Sequence, residues 1–408
     1  CHLIGMSMNS FSSPASSVSV LENLAGVKGP KLSIEGVEAM VLHAPIASPV
    51  RGAFGKMDFR PGLLVKLTDA SGQSGFGEIW ANFPQGGANY KAVLTENYIA
   101  PLLVGQAFRH PAEIIDLLEE KLACLTLQTG DFGAMAQIFA GIDQAAWDLF
   151  CKRLDTPFWQ LAQARPEVLV YASGIGPEGV ANTIRKEAAF GHCRFKIKMG
   201  FGEAIDRANL EQALAALPEG GLLMTDANQV WSPELARQWL QRQDAAGVFW
   251  CEEPLRADTS PEQWKALAAS AGKVRLAAGE NLRGLESFVA IARAGGVSVL
   301  QPDVGKWGGI TRNLQLDGQL RGTSVWMCPH WLSGAVGLAA SLQFKAAIGG
   351  EGFVEVDTNP NKLRTGLLNT AFRVRDGRII LSDDPGLVPP LALAMLDKLK
   401  SPTQGVSD

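Results

Sequence analysis

The sequence predicts an α/β protein, a (β/α)8-type barrel preceded by an α+β unit. Three observations carry this. Eight short apolar runs alternate with helical patterns at a spacing of roughly 25–30 residues. Strands first and helices second make up the segment before them. Acidic residues close several consecutive runs, at the end of a barrel strand where active sites gather. At 408 residues, the chain suits a large barrel with an added domain.

Residues 1–30 are rich in Ser and small residues and lack a basic start followed by an apolar stretch. They read as a flexible leader rather than a secretory signal. The α+β unit occupies residues 31–150. Its strands are Ile34–Ala44, Gly62–Asp69 and a stretch from Gly77, with a turn at Ser71–Gly75. Helical patterns cover Tyr90–Leu103, Pro111–Leu127 and Phe132–Leu154, the last with Lys152 and Arg153 near its C-terminus. The barrel occupies residues 151–375. Its apolar runs are Val168–Ser173, Cys193–Met199, Leu222–Asn228, Val248–Pro254, Arg275–Asn281, Val297–Val304, Ser324–His330 and Phe353–Asn359. Residues 376–408 are too short for a domain and are read as returning to the first one. A doubly wound sheet is the rival, but no G-x-G-x-x-G follows an early strand. Gly305-Lys306 is not a phosphate loop, because Trp307 stands where Ser or Thr is required.

Apolar residues make up 47% and charged residues 19%, with a formal net charge of −4. This balance gives no basic footprint for nucleic acid. No apolar run reaches the roughly 18–20 residues of a membrane span. The six cysteines show no zinc-like spacing and fit the reducing cytosol, so a cytoplasmic protein is expected.

The third, fourth and fifth runs end at Asp226, Glu252 and Glu280. Three carboxylates at one rim repel one another unless a cation compensates. Hard oxygen donors suit Mg²⁺, and Mn²⁺ fits the same ligands. A solvated loop acid or helix cap accounts for any one of them, but poorly for three in succession. On the second run, Lys196 and Lys198 alternate with apolar residues and share a side, where an inner barrel strand offers no water. Two adjacent cations depress each other, so Lys198 is expected to serve as a base. His330 ends the seventh run and Asp303 the sixth. A carboxylate on one ring nitrogen fixes the tautomer and raises the basicity of the other. Lys198 and His330 would then flank a substrate. Glu355 on the eighth run would donate to its second carboxylate oxygen if protonated.

These residues together resemble the enolase superfamily, and within it the mandelate racemase subgroup. The resemblance runs from about residue 31 to the C-terminus. It rests on the K-x-K of Lys196 and Lys198, on Asp226, Glu252 and Glu280 as metal ligands, and on Asp303 and His330 as a dyad. The run Gly141-Ile142-Asp143-Gln144-Ala145-Ala146-Trp147-Asp148 resembles the family's linker helix. The resemblance implies a capping domain completed by the C-terminal tail, Mg²⁺, an enolate intermediate and a homo-oligomer. It also implies that loops near residues 47–60 and 80–90 select a small carboxylate substrate. Arg51, Lys56, Trp80 and Phe83 are the candidate contacts there, joined by Lys196 and Asn228 on the barrel. Dehydration of a sugar acid or hydroxy diacid is the leading expectation, and a racemase or epimerase of an α-hydroxy acid the alternative. A non-catalytic metal or sugar-acid binding barrel is a third reading, disfavoured by the presence of both bases.

Overall fold

The structure, a computed structural model, describes residues 20–52, 55–369 and 372–401, with the backbone alone for residues 47–52 and 55–57. The side chains of Arg51 and Lys56 lie outside the described residues.

β1 (Leu32–Gly52), β2 (Gly55–Asp69), β3 (Ser74–Glu78) and β4 (Ala107–Phe108) form an antiparallel sheet in the order β3-β2-β1-β4. The segment near residues 47–60, expected to be a loop, instead extends the β1–β2 hairpin. Backbone pairing resumes at Val50 with Met57 and sets Arg51 opposite Lys56. The leader differs from expectation too, since Val20–Ala25 is helical and buries Leu24. Behind the sheet lies the helix Phe132–Arg153, every residue of which is buried from Ile138 to Cys151. A helix apolar all round needs cover on all sides. Here the sheet covers one face and the barrel the other.

Eight parallel strands follow: β5 (Glu167–Ile175), β6 (Arg194–Lys198), β7 (Leu222–Asp226), β8 (Trp250–Glu252), β9 (Arg275–Ala278), β10 (Val299–Leu300), β11 (Trp326–Met327) and β12 (Val354–Asp357). Their order is β11-β10-β9-β8-β7-β6-β5-β12. A backbone hydrogen bond from Glu355 N to Pro329 O, at 3.3 Å, spans the seam between the last strand and the segment after β11. The tail divides. β13 (Arg378–Ile380) pairs antiparallel with β5 on the barrel. The helix Leu393–Leu399 then reaches β1, and Ser401 N donates to Val41 O at 2.9 Å.

The G-I-D-Q-A-A-W-D helix run is the weld between the two parts. Asp143 accepts from Ile310 N (2.6 Å), Thr311 N (2.9 Å) and Thr311 Oγ1 (2.5 Å), capping the barrel helix Thr311–Leu320. Gly309 lets that carboxylate approach: its φ is +52°, and a Cβ there would sit 2.4 Å from Asp143 Oδ2. Gln144 Nε2 donates to Val304 O at 2.8 Å, and Trp147 Nε1 to Thr311 Oγ1 at 2.9 Å. Asp148 accepts from Leu387 N and Val388 N. From β3, Glu78 accepts from Gly334 N (2.6 Å) and Gly337 N (2.9 Å) at the start of the helix Ala335–Ile348. The first part of the chain thus satisfies helix-terminal amides of the second, groups that have no partner within their own helix.

Candidate active site

The strand register places the acids side by side. Asp226 pairs with Lys198 on β6 and with Glu252 on β8, and Glu280 follows two residues after β9. Gly279, at φ +152°, makes that last step, since a Cβ there would meet the Gln301 backbone at 2.6 Å. All three acids are buried, Asp226 and Glu252 at 1% exposure and Glu280 at 9%.

Lysines and a histidine currently supply their counter-charge. Lys198 Nζ lies 2.6 Å from Asp226 Oδ2. Lys196 Nζ reaches Glu252 Oε2 at 2.5 Å and Glu355 Oε1 at 2.7 Å. His330 Nδ1 sits 2.6 Å from Asp303 Oδ2, and its Nε2 lies 2.9 Å from Glu280 Oε2 and 3.4 Å from Glu355 Oε2. Asp303 Oδ1 is held by Gly305 N and Lys306 N. Asn228, at φ +46°, turns back on Asp226: its N donates to Oδ1 at 2.9 Å and its Nδ2 to Oδ2 at 3.2 Å. Asp226, Glu252, Glu280, Lys196, Lys198, Asp303, His330, Glu355 and Asn228 therefore form one connected cluster. Of the expected lid contacts, Trp80 joins it: the Lys306 ammonium lies 4.7 Å from its ring centre. Phe83 lines a separate groove of about 490 Å³ with Gln85, Tyr90, Lys91 and Gln137.

Two expectations about charge change. Burial disfavours the Lys198 ammonium, but Asp226 outweighs this, and the net shift is upward rather than downward. Burial also opposes the Glu355 carboxylate, yet Lys196 and His330 hold its pKa below the ordinary range, so it is an acceptor here and not a protonated donor. Trp331 N donates to it at 3.2 Å. For His330, burial is outweighed by Glu280, Glu355 and Asp303, raising it to about 10. Burial raises Glu252 to about 7, opposed by Lys196.

The sequence reading missed several residues. Lys306 Nζ lies 2.8 Å from Glu280 Oε2, the oxygen His330 also contacts. Gln301 Nε2 donates to Glu252 Oε2 at 2.6 Å. Glu253 is fully buried at φ +41° and accepts twice from Asn281 Nδ2, at 2.9 and 3.0 Å. Adjacency to the assigned strand ends was the available signal for Gln301 and Glu253, whereas Lys306 lies in the loop after β10.

Among the described residues, no group of three or more His, Cys, Asp and Glu side chains already stands as a metal-holding set. The acids turn to the ammonium groups instead. Their chemistry nevertheless fits Mg²⁺: the donors are hard carboxylate oxygens, and Glu252 Oε1 is buried without a hydrogen-bond partner. No helix among the described residues is long and apolar enough to cross a membrane.

Two family models match. Residues 36–162 match the mandelate racemase / muconate lactonizing enzyme N-terminal domain, and residues 179–388 match the enolase C-terminal domain-like model. An arabinonate dehydratase of Saccharolobus solfataricus is 26% identical over 79% of this chain and 86% of its own length. A chloromuconate cycloisomerase of Pseudomonas putida is 26% identical over 87% and 96%. Among solved structures, a mandelate racemase/muconate lactonizing enzyme from Bordetella bronchiseptica RB50 is 37% identical, with a TM-score of 0.83 over 91% of this chain and all of that one. An enolase from Bradyrhizobium, complexed with magnesium and mandelic acid, is 25% identical with a TM-score of 0.80, over 91% and 99%.

Proposed function

Given that the chain belongs to the mandelate racemase and muconate lactonizing enzyme family of the enolase superfamily, we propose that it abstracts the proton α to a substrate carboxylate, and that the reaction is dehydration of a sugar acid or hydroxy diacid. One observation carries the reading. The carboxylates Asp226, Glu252 and Glu280 stand on successive strand ends, with a proton carrier at each end: Lys198 beside Asp226 and His330 beside Glu280.

Asp226, Glu252 and Glu280 would hold Mg²⁺, which when bound stabilises the negative charge that develops on the substrate carboxylate. The chain's own residues do the rest. Lys196, buried and paired with Glu252 and Glu355, adds a fixed positive charge at the base of the site. Lys198, partly exposed, and His330, oriented through Nδ1 by Asp303, face the substrate from β6 and β11. One, neutral once a cation has replaced it beside its carboxylate partner, would take the α-proton. The other returns a proton to the departing β-hydroxyl, so the pair's charge is restored once water has left. Trp80, two residues after β3, stands on the side nearest the antiparallel sheet. A similar dehydratase supports the lyase choice. A racemase would use the same two residues without a leaving group.

The test is product analysis with a panel of β-hydroxylated acid sugars and Mg²⁺. A 2-keto-3-deoxy acid is expected. Interconversion of enantiomers, or lactone chemistry without keto product, would assign the isomerase class instead.

A further inference from the structure

Lys306 has no part in the proton transfers above, yet its side chain is only 12% exposed. It follows β10 three residues after Asp303, and its amide is tied to Asp303 Oδ1 at 3.0 Å. Its ammonium group has three N–H donors, and a single hydrogen bond, to Glu280 Oε2, engages it among the described residues. On another side it meets the ring of Trp80 at 4.7 Å. A second ammonium converges on the same ring: Lys91 Nζ is 5.5 Å from its centre. Lys91 is 3% exposed and donates to Trp80 O and to Gln137 Oε1 at 2.7 Å, both neutral oxygens. Among the described residues no carboxylate pairs with Lys91. Two lysines therefore flank one indole where the sheet meets the barrel mouth: Glu280 pairs with Lys306 at ion-pair distance, while burial and the neighbouring Lys306 lower Lys91 to about 7.

Against its burial, Glu280, Asp303 and Glu253 keep Lys306 charged, and its remaining N–H donors border the space a substrate would occupy. Resting on the reading proposed above, we infer that Lys306 is a specificity-determining residue that binds a second, distal carboxylate of the substrate against Trp80, with Lys91 packed on the same ring. The substrate class is then a hydroxy diacid rather than a neutral-tailed or aromatic acid. An aromatic tail would gain the Trp80 face but leave the ammonium donors unmatched. A carboxylate satisfies them through charge-assisted hydrogen bonds.

The test uses binding without turnover. Calorimetry in Mg²⁺ compares 2-hydroxyglutarate with 2-hydroxyvalerate and 2-hydroxyadipate with 2-hydroxyhexanoate. These pairs match in carbon number, and in none is a hydroxyl β to a carboxylate. Wild type should bind the dianion of at least one pair ten-fold or more tighter than its monoanion. Lys306→Met should abolish that preference while leaving monoanion and Mg²⁺ affinities within two-fold. Lys306→Arg should keep it, which also covers the case in which the Met variant fails to fold. Absence of dianion preference in wild type would overturn the inference. So would an equal loss for both anions accompanied by weaker Mg²⁺ binding, which would make Lys306 a positioning residue for Glu280. A dianion preference in a protein that makes no keto acid would remove the dehydratase reading and leave this one standing.

Discussion

Asp303→Asn isolates the dyad from the rest of the site. Asn has the shape of Asp, and its carbonyl oxygen keeps the two backbone bonds from Gly305 N and Lys306 N. The change falls on the other atom. A carboxylate oxygen 2.6 Å from His330 Nδ1 becomes an amide NH₂, which must donate. His330 is then forced to accept at Nδ1 and to carry its proton on Nε2, the nitrogen facing Glu280 and the proposed substrate. In that tautomer the nitrogen facing the substrate has no lone pair to take a proton. Replacing one charge-assisted, buried hydrogen bond costs about 1.5–3 kcal/mol. At 1.4 kcal/mol per factor of ten, that is about 10- to 150-fold in turnover. The assay is keto-acid formation under saturating Mg²⁺, with a urea unfolding curve alongside. The unfolding midpoint should stay close to wild type, because the fold-side bonds of Asp303 survive. Turnover within three-fold of wild type would refute the assignment of His330 as a proton carrier oriented by Asp303.

Glu252→Gln removes charge from the middle acid of the three and should weaken Mg²⁺ binding by ten-fold or more in a calorimetric titration; unchanged affinity would exclude Glu252 as a ligand. Asp143→Ala leaves Ile310 N, Thr311 N and Thr311 Oγ1 without their buried acceptor, and at about 1–3 kcal/mol for each unsatisfied group it should lower stability by about 3–9 kcal/mol in denaturant titration. His192 is buried, and desolvation, helped by Arg364, pushes it down to about 4. Its folded pKa lies below the ordinary 6.5, so the stability it contributes is full above that value and is lost as pH falls toward 4. That stability amounts to about 3 kcal/mol, and His192→Gln should flatten the fall between pH 6.5 and 4 in unfolding curves.

The barrel and the acids were legible because both depend on short-range pattern. Each of β7, β8 and β9 ends within two residues of its acid, and a strand end fixes where a side chain emerges. The pairing of Asp303 with His330 was legible for the same reason, through adjacent strands. Charge states were not. Whether Lys198 is depressed or raised depends on which groups lie within a few ångströms of it. The sequence showed its like-charged neighbour Lys196 but not the 2.6 Å contact with Asp226. Glu355 was misjudged in the same way, because its partner Lys196 comes from a strand two places away around the barrel. Lys306 escaped because it lies in a loop, where a lysine carries no periodic signal. The extended β1–β2 hairpin was hidden by Pro45, Pro49 and Pro61, which read as strand breakers. Pairing shifts register between Pro45 and Val50, and that irregularity lets the hairpin continue.

The central claim is that Lys198 and His330 move the α-proton of a carboxylate held over Asp226, Glu252 and Glu280. Proton NMR of hydroxy acids incubated with the protein and Mg²⁺ in D₂O measures this directly. Wild type should wash out the α-hydrogen signal of its substrate, with or without product formation. The Lys198→Ala/His330→Asn double variant and chelated wild type should leave that signal intact. Exchange that persists in the double variant, or that is absent from wild type across a broad panel of β-hydroxylated acids and diacids, would contradict the account.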